Sequence, residues 1–277
     1  YFYTVIPEPV KKVTDPAARK YILPVDMKIA YTKNEELRNI AGLLAIQLKT
    51  ITGYKVSAVQ SLTGTVTLQL NNDTSIKEEG YRLTVNQKGI SISARKPAGI
   101  FYGVQTLIQL IPPGSAGNTE NKKDKWDLPQ LTIEDYPRFA WRGLMLDVAR
   151  HFFTVAQVKD YIDQMVKYKF NLLHLHLTDD QGWRLQIKSL PKLTEVGAWR
   201  VERTGTFGTL SKPQPGEKAT YGGFYTHEDI KELVKYAGDR FVNIMPEIDV
   251  PGHSLAAIAA YPELSCTPGE YYVSPGD

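Results

Sequence analysis

Apolar and polar residues alternate along "VDMKIAY" (25–31), "VTLQL" (66–70), "YRLTV" (81–85) and "GISISA" (89–94). That is the period of a strand buried on one face. Between the first two the period lengthens: Leu37, Ile40, Ala41, Leu44 and Leu48 make one helical face, with Gly53 just past its end. Thr32 and Glu35 have capping-box spacing and predict where this helix starts. A second helix is predicted over 99–110, stopped by Pro112 and Pro113. Residues 1–137 thus read as a small α/β domain whose sheet and helices are structural.

A Pro-, Gly-, Ser-, Asn- and Lys-rich connection over 112–126 predicts an exposed loop, and the rhythm then changes. "GLMLDVA" (143–149), "NLLHLHLTD" (171–179) and "FVNIMPEID" (241–249) are nearly continuous apolar strands. Helices are predicted between them at 155–169, opened by Thr154 and Gln157, and at 227–240, opened by Thr226 and Asp229. Strand–helix–strand–helix–strand with apolar strands predicts parallel pairing under helical cover. A doubly wound sheet and a (β/α)8 barrel both fit. No glycine-rich turn follows any of the three strands, which argues against a nucleotide-binding open sheet.

Composition removes several classes of function. Net charge is +3 with signs interspersed, and the one basic cluster, "NKKDK" (121–125), reads as a solvated loop, so no nucleic-acid partner is expected. No run of 18 apolar residues offers a membrane span. The lone Cys266 excludes an internal disulfide framework. The chain begins at Tyr1 without an initiator methionine or an apolar leader, and it is expected to be a processed or trimmed product.

Candidate chemistry gathers at the ends of the three apolar strands. "DVARHFF" carries Asp147, Arg150 and His151; "HLHLTDDQGW" carries His174, His176, Asp179 and Trp183; "PEIDVPGHS" carries Glu247, Asp249 and His253. C-terminal strand ends build the active site of a barrel, so three successive clusters predict one shared polar pocket. His174 and His176 share a parity and can hold a divalent ion, although a site needs three or four converging ligands. Asp179 has the opposite parity, so it and the histidines are expected to act apart unless a bulge intervenes. Arg150 is read either as an ion-pair partner of Asp147 or as a planar fork for the paired hydroxyls or carboxylate of a ligand. Trp183 and Trp199 are core or lid residues, or aromatic faces for a sugar ring.

"GLMLDVARHFF", "NLLHLHLTDDQGWRLQI" and "PEIDVPGHS" together resemble glycoside hydrolase family 20, the β-N-acetylhexosaminidases, in motif order and approximate spacing. The unit before them resembles the family's non-catalytic N-terminal domain. The resemblance implies a small α/β N-terminal domain (1–137) followed by the first strands and helices of a (β/α)8 catalytic barrel (138–277), truncated. It implies removal of terminal β-linked GlcNAc or GalNAc from glycans or chitooligosaccharides. The mechanism implied is substrate-assisted retention, in which the 2-acetamido carbonyl attacks its own anomeric carbon. Asp179 and His253 then resemble the pair that positions and charges the general acid, Asp249 an acid behind that histidine, and Arg150 and Trp183 the sugar-binding residues. No cofactor or metal is implied. A periplasmic, secreted or cell-surface setting follows from the resemblance alone.

One departure matters. The Asp-Glu pair expected at the end of the fourth strand, in a Gly-Gly-Asp-Glu context, does not occur after the third strand. The stretch after Pro137 is also much shorter than the ~250 residues of a usual barrel. The general acid is therefore expected beyond this chain, the 277-residue stretch alone is expected to be inactive, and the remainder of the barrel or a completing chain is its expected partner. Two alternatives stay open: a non-catalytic glycan-binding remnant, and a metal-dependent barrel hydrolase built on His174 and His176. The Gly- and Pro-rich insertion at 188–225 reads as an active-site rim or a passive loop.

Overall fold

The computed structural model describes residues 4–112, 126–205 and 210–276. The lysine cluster at 121–125 and nearly all of the 112–126 connection lie outside the described residues, as do positions 206–209 of the insertion. Contacts divide the chain into two compact units: Tyr1–Ala140 with Val166–Lys169, and Trp141–Met165 with Phe170–Asp277.

The first unit runs β1 (Lys11–Thr14), β2 (Tyr21–Ile22), β3 (Asp26–Tyr31), α1 (Glu35–Thr52), β4 (Lys55–Gln60), β5 (Val66–Leu70), β6 (Tyr81–Asn86), β7 (Gly89–Ala94), α2 (Pro97–Leu110), β8 (Asp127–Leu128) and β9 (Leu131–Asp135). Seven of these strands form a mixed sheet in the order β1-β9-β6-β7-β5-β3-β4. α1 and α2 pack on each other and on its strands. Alternation along the sequence becomes a buried face here: Met27, Ile29, Val66, Leu68, Leu83, Ile90 and Ile92 are all sealed from solvent. α1 buries the five predicted residues and ends at Gly53, which has φ 70°. Its start differs from the Thr32–Glu35 expectation. Asn34 is the N-cap, its side chain accepting from the Leu37 N–H at 2.9 Å. Asparagine caps at least as well as threonine, and it sits directly before the first helical turn.

Lys169, with φ 64°, is buried in this unit. Its Nζ lies 2.9 Å from Asp135 Oδ2 and donates to Tyr81 Oη at 3.1 Å, so the buried charge is paired. Burial pushes the Tyr81 hydroxyl well above the ordinary tyrosine range, and the neighbouring Asp135 charge adds to it.

The second unit contains β10 (Gly143–Asp147), α3 (Val155–Lys167), β11 (Leu172–His176), β12 (Thr178–Asp179), β13 (Gly182–Trp183), α4 (Lys192–Glu195), β14 (Trp199–Arg200), β15 (Tyr221–Gly222), α5 (His227–Gly238), β16 (Asn243–Glu247) and α6 (Leu255–Ala260). β10, β11 and β16 pair in parallel with β11 at the centre. Three strand–helix units of this kind are the repeating piece of a (β/α)8 barrel. α5 opens with the predicted capping box of Thr226 and Asp229, both reciprocal bonds being present. At α3, Thr154 and Gln157 exchange the corresponding pair. The strand predicted over 171–179 is broken: Leu177 falls between β11 and β12. Its N–H donates to Glu247 O at 3.1 Å and its carbonyl accepts from the Arg184 N–H at 2.9 Å.

Candidate active site

Register places the site. Parallel pairing aligns Asp147 with His176 and His176 with Glu247, so the last residues of three strands stand side by side at one end of the sheet. The chain segments that follow carry Arg150, Asp179 and His253, and these three side chains converge.

Asp179 is the centre. Only 1% of its side chain is exposed, yet it keeps three cationic or imidazole partners. Oδ2 lies 2.9 Å from Arg150 Nη2 and 2.7 Å from His176 Nε2, and Oδ1 lies 3.0 Å from His253 Nδ1. Oδ1 also accepts the Asp180 N–H at 2.7 Å. A buried carboxylate is tolerated only when its charge and lone pairs are answered in this way.

Arg150 spans two carboxylates. Its Nη1 donates to Asp147 Oδ2 at 2.7 Å while Nη2 reaches Asp179. The ion-pair reading of Arg150 is met by Asp147, and its second terminal nitrogen also pairs with Asp179. Asp147 Oδ1 in turn accepts the Ala149 and Arg150 N–H groups, each at 3.0 Å. Burial alone raises the Asp147 pKa, but these bonds and the Arg150 charge outweigh it, and the net shift is downward.

His176 carries a carboxylate at each nitrogen. Nε2 meets Asp179, and Nδ1 lies 3.1 Å from Glu247 Oε1. His174 Nε2 lies against the other oxygen of Glu247. Burial, the largest single effect on His176, favours the neutral ring; the Asp179 bond and the Asp147 and Glu247 charges overcome it and raise the pKa. Carboxylates near both nitrogens favour the protonated ring, which is the direction of the shift. The expectation that the histidines and Asp179 act apart is therefore corrected for His176, because the break at Leu177 lets the chain turn.

Position 253 is held by local structure. His253 has φ 53°, a left-handed conformation uncommon outside glycine, and its ring is half exposed. Asp180, next to Asp179, accepts the Leu255 N–H at 3.0 Å and so pins the start of α6 just beyond His253. Asp249 makes no ion pair with that histidine among the described residues; its backbone N–H donates to Thr178 Oγ1 at 3.0 Å. Trp183 is not a sugar platform in this structure. It is 8% exposed, it packs with Leu193, Ala256, Ala257, Ala260 and Val273, and its indole N–H donates to Leu185 O at 2.6 Å. Apolar burial plus a satisfied N–H makes it a core residue.

The donor set does not suit a cation. Asp179, Asp180 and His253 place ligand atoms within 4.8 Å of one another. However, the Arg150 guanidinium and the Asp180 N–H already face the Asp179 oxygens, and that positive charge opposes a divalent ion. His174 and His176 are engaged with Glu247 rather than converging on a shared site. A separate cavity of about 560 Å³ lies among insertion and C-terminal residues, including Trp199, Arg200, Glu217, Tyr271 and Tyr272. None of Arg150, Asp179 and His253 lines it. Asp180 and the linking role of His176 were not read from the sequence as site features; strand register, which sets His176 between Asp147 and Glu247, is the signal that finds the latter.

A buried carboxylate with guanidinium and imidazole partners, set at the ends of parallel strands, is a site a barrel glycosidase can use, and the comparisons agree. Residues 139–275 match the family model "Glycosyl hydrolase family 20, catalytic domain", and residues 3–136 match "Glycosyl hydrolase family 20, domain 2". The chain belongs to glycosyl hydrolase family 20. A beta-hexosaminidase of Porphyromonas gingivalis is 42% identical over 241 residues, which cover 86% of this chain and 29% of that protein. A beta-N-acetylhexosaminidase of Cellulomonas fimi is 38% identical over 264 residues, covering 94% of this chain and 49% of that one. Among solved structures, a mutant Streptomyces plicatus beta-hexosaminidase in complex with product (GlcNAc) superposes with a TM-score of 0.85 at 41% identity. That match covers 98% of this chain and 51% of the solved one. The chain therefore spans about 30% of the first curated relative and about half of this solved structure.

Proposed function

We propose that this chain contributes part of the sugar-binding and charge-positioning site of an enzyme that removes terminal β-linked N-acetylhexosamine from glycans or chitooligosaccharides. The observation that carries the reading is the buried Asp179 carboxylate joined to Arg150 at 2.9 Å and to His253 at 3.0 Å. Arg150 keeps 32% of its side chain exposed, and it grips hydroxyls of the terminal sugar with planar, directional donors. Asp179 holds His253 in one orientation, and the half-exposed ring passes that polarity to the group that protonates the leaving oxygen. That proton donor is not one of the three converging side chains. The substrate's own acetamido oxygen is the nucleophile, so the product keeps the β configuration. Membership in family 20 and the GlcNAc-bound relative support this reading. It carries with it a periplasmic, secreted or cell-surface setting, where glycans are met.

The test uses the full-length gene product with p-nitrophenyl β-GlcNAc. Hydrolysis with β-GlcNAc as the first-formed anomer by NMR is expected. An α product, or GlcNAc binding without turnover, would overturn the proposal in favour of an inverting enzyme or a glycan-binding remnant respectively.

A further inference from the structure

Arg184 is fully buried, and no carboxylate bonds to it among the described residues. Its guanidinium meets five backbone carbonyls instead. Nε donates to Val148 O at 3.0 Å; Nη1 to Ala198 O at 2.7 Å and Gly223 O at 3.2 Å; Nη2 to Ala149 O at 2.6 Å and Gln181 O at 3.4 Å. A guanidinium has five N–H donors, so donors and acceptors match one to one. Burial, reinforced by the neighbouring Arg200 charge, pulls its pKa down to about 10, and the group stays protonated at neutral pH.

The identity of those carbonyls is informative. Val148 and Ala149 immediately precede Arg150, and Gln181 lies two residues after Asp179. The Arg184 backbone belongs to the same knot: its N–H donates to Leu177 O at 2.9 Å, and its carbonyl accepts from Tyr225 N–H at 2.7 Å. The start of β13 is fitted to it, since a Cβ at Gly182 would stand 2.2 Å from Arg184 Cζ. The Phe152 ring lies 5.9 Å from the guanidinium carbon.

We propose that Arg184 is a positioning residue for the Arg150–Asp179 pair, tying the backbone on either side of the site so that the two side chains meet at ion-pair distance. This rests on the hexosaminidase reading above. Lysine cannot replace it, because an ammonium offers three donors from one point where five are needed across a plane. Loss of the tie releases the segment bearing Arg150, the sugar-gripping residue, so the effect falls mainly on KM.

The experiment compares R184K and Gly223→Ala, which strains one of the tied segments without altering Arg184, with Leu233→Ala, a buried α5 control, in the full-length gene product on p-nitrophenyl β-GlcNAc. A Cβ at Gly223, where φ is 154°, would stand 2.5 Å from the Phe152 ring, so the substitution strains the backbone that carries one acceptor carbonyl and keeps the Arg184 side chain itself. The expected result is a kcat/KM at least tenfold lower for R184K than for the control at equal loss of Tm, most of it in KM, with a smaller change of the same kind for Gly223→Ala. If R184K does not fold, Gly223→Ala alone decides. Losses no greater than those of the control, or confined to kcat, would overturn the positioning role while leaving the hexosaminidase reading intact. An inactive wild type would overturn both.

Discussion

His176 Nε2 lies 2.7 Å from Asp179 Oδ2, although the two residues are three apart in what the sequence presents as one strand. In an unbroken strand they would point to opposite faces. Leu177 interrupts the ladder, and the oxygen that His176 reaches is the one Arg150 also holds. One carboxylate thus gathers groups from the ends of two strands and, through its other oxygen, the loop bearing His253.

Removing the Asp179 charge should be costly for catalysis. In Asp179→Asn the amide cannot answer the Arg150 guanidinium and two imidazoles that converge on it. Steady-state kinetics on the full-length gene product should show kcat/KM lower by about 10²–10³-fold, or about 3–4 kcal/mol of transition-state stabilisation. A loss under tenfold would show that the carboxylate is not central.

The raised pKa of His176 sets a direction for stability against pH. Its charged form is favoured in the fold, so the contribution is fully present below about pH 6.5, the ordinary histidine value. It is lost as pH rises through the elevated folded value. Asp147, shifted downward, works in a separate window, losing its contribution only in acid below about pH 4. The Tm advantage of wild type over His176→Gln should therefore be larger near pH 5.5 than near pH 8.5. A difference that stays flat, or grows with pH, contradicts the assignment.

Trp183→Phe separates packing from sugar contact. The core placement predicts a measurable fall in Tm from the lost volume and indole bond, with KM for the chromogenic substrate within about twofold of wild type. A tenfold rise in KM without loss of Tm would return Trp183 to the sugar site.

Thr226→Ala removes the hydroxyl half of the α5 capping box. The expected cost is about 1 kcal/mol, a fall of about 2–4 °C in Tm by circular dichroism. An unchanged melting curve would mean that the cap is redundant with packing of α5 on β16.

Local order was legible where one face is cleanly buried. The five buried residues of α1, the hairpin strands β6 and β7, and the capping boxes of α3 and α5 each follow from spacing within a few residues. β4, "KVSAVQ", escaped because it is an edge strand of the first sheet, half exposed on both faces, and shows little alternation. β1 is fully exposed and gave no apolar signal at all.

The site divides along the same line. The residue types at the strand ends, and their motif order, were set by the chain itself and were sufficient to name Arg150, Asp179 and His253. Tertiary structure decided which of them meet. Parallel register brought Asp147, His176 and Glu247 abreast, the break at Leu177 turned Asp179 toward His176, and packing withdrew Trp183 into the core. Periodicity reports on neighbours a few residues apart, whereas two of the three side-chain partners of Asp179, Arg150 and His253, come from segments about 30 and 74 residues away and are brought close only by the tertiary fold.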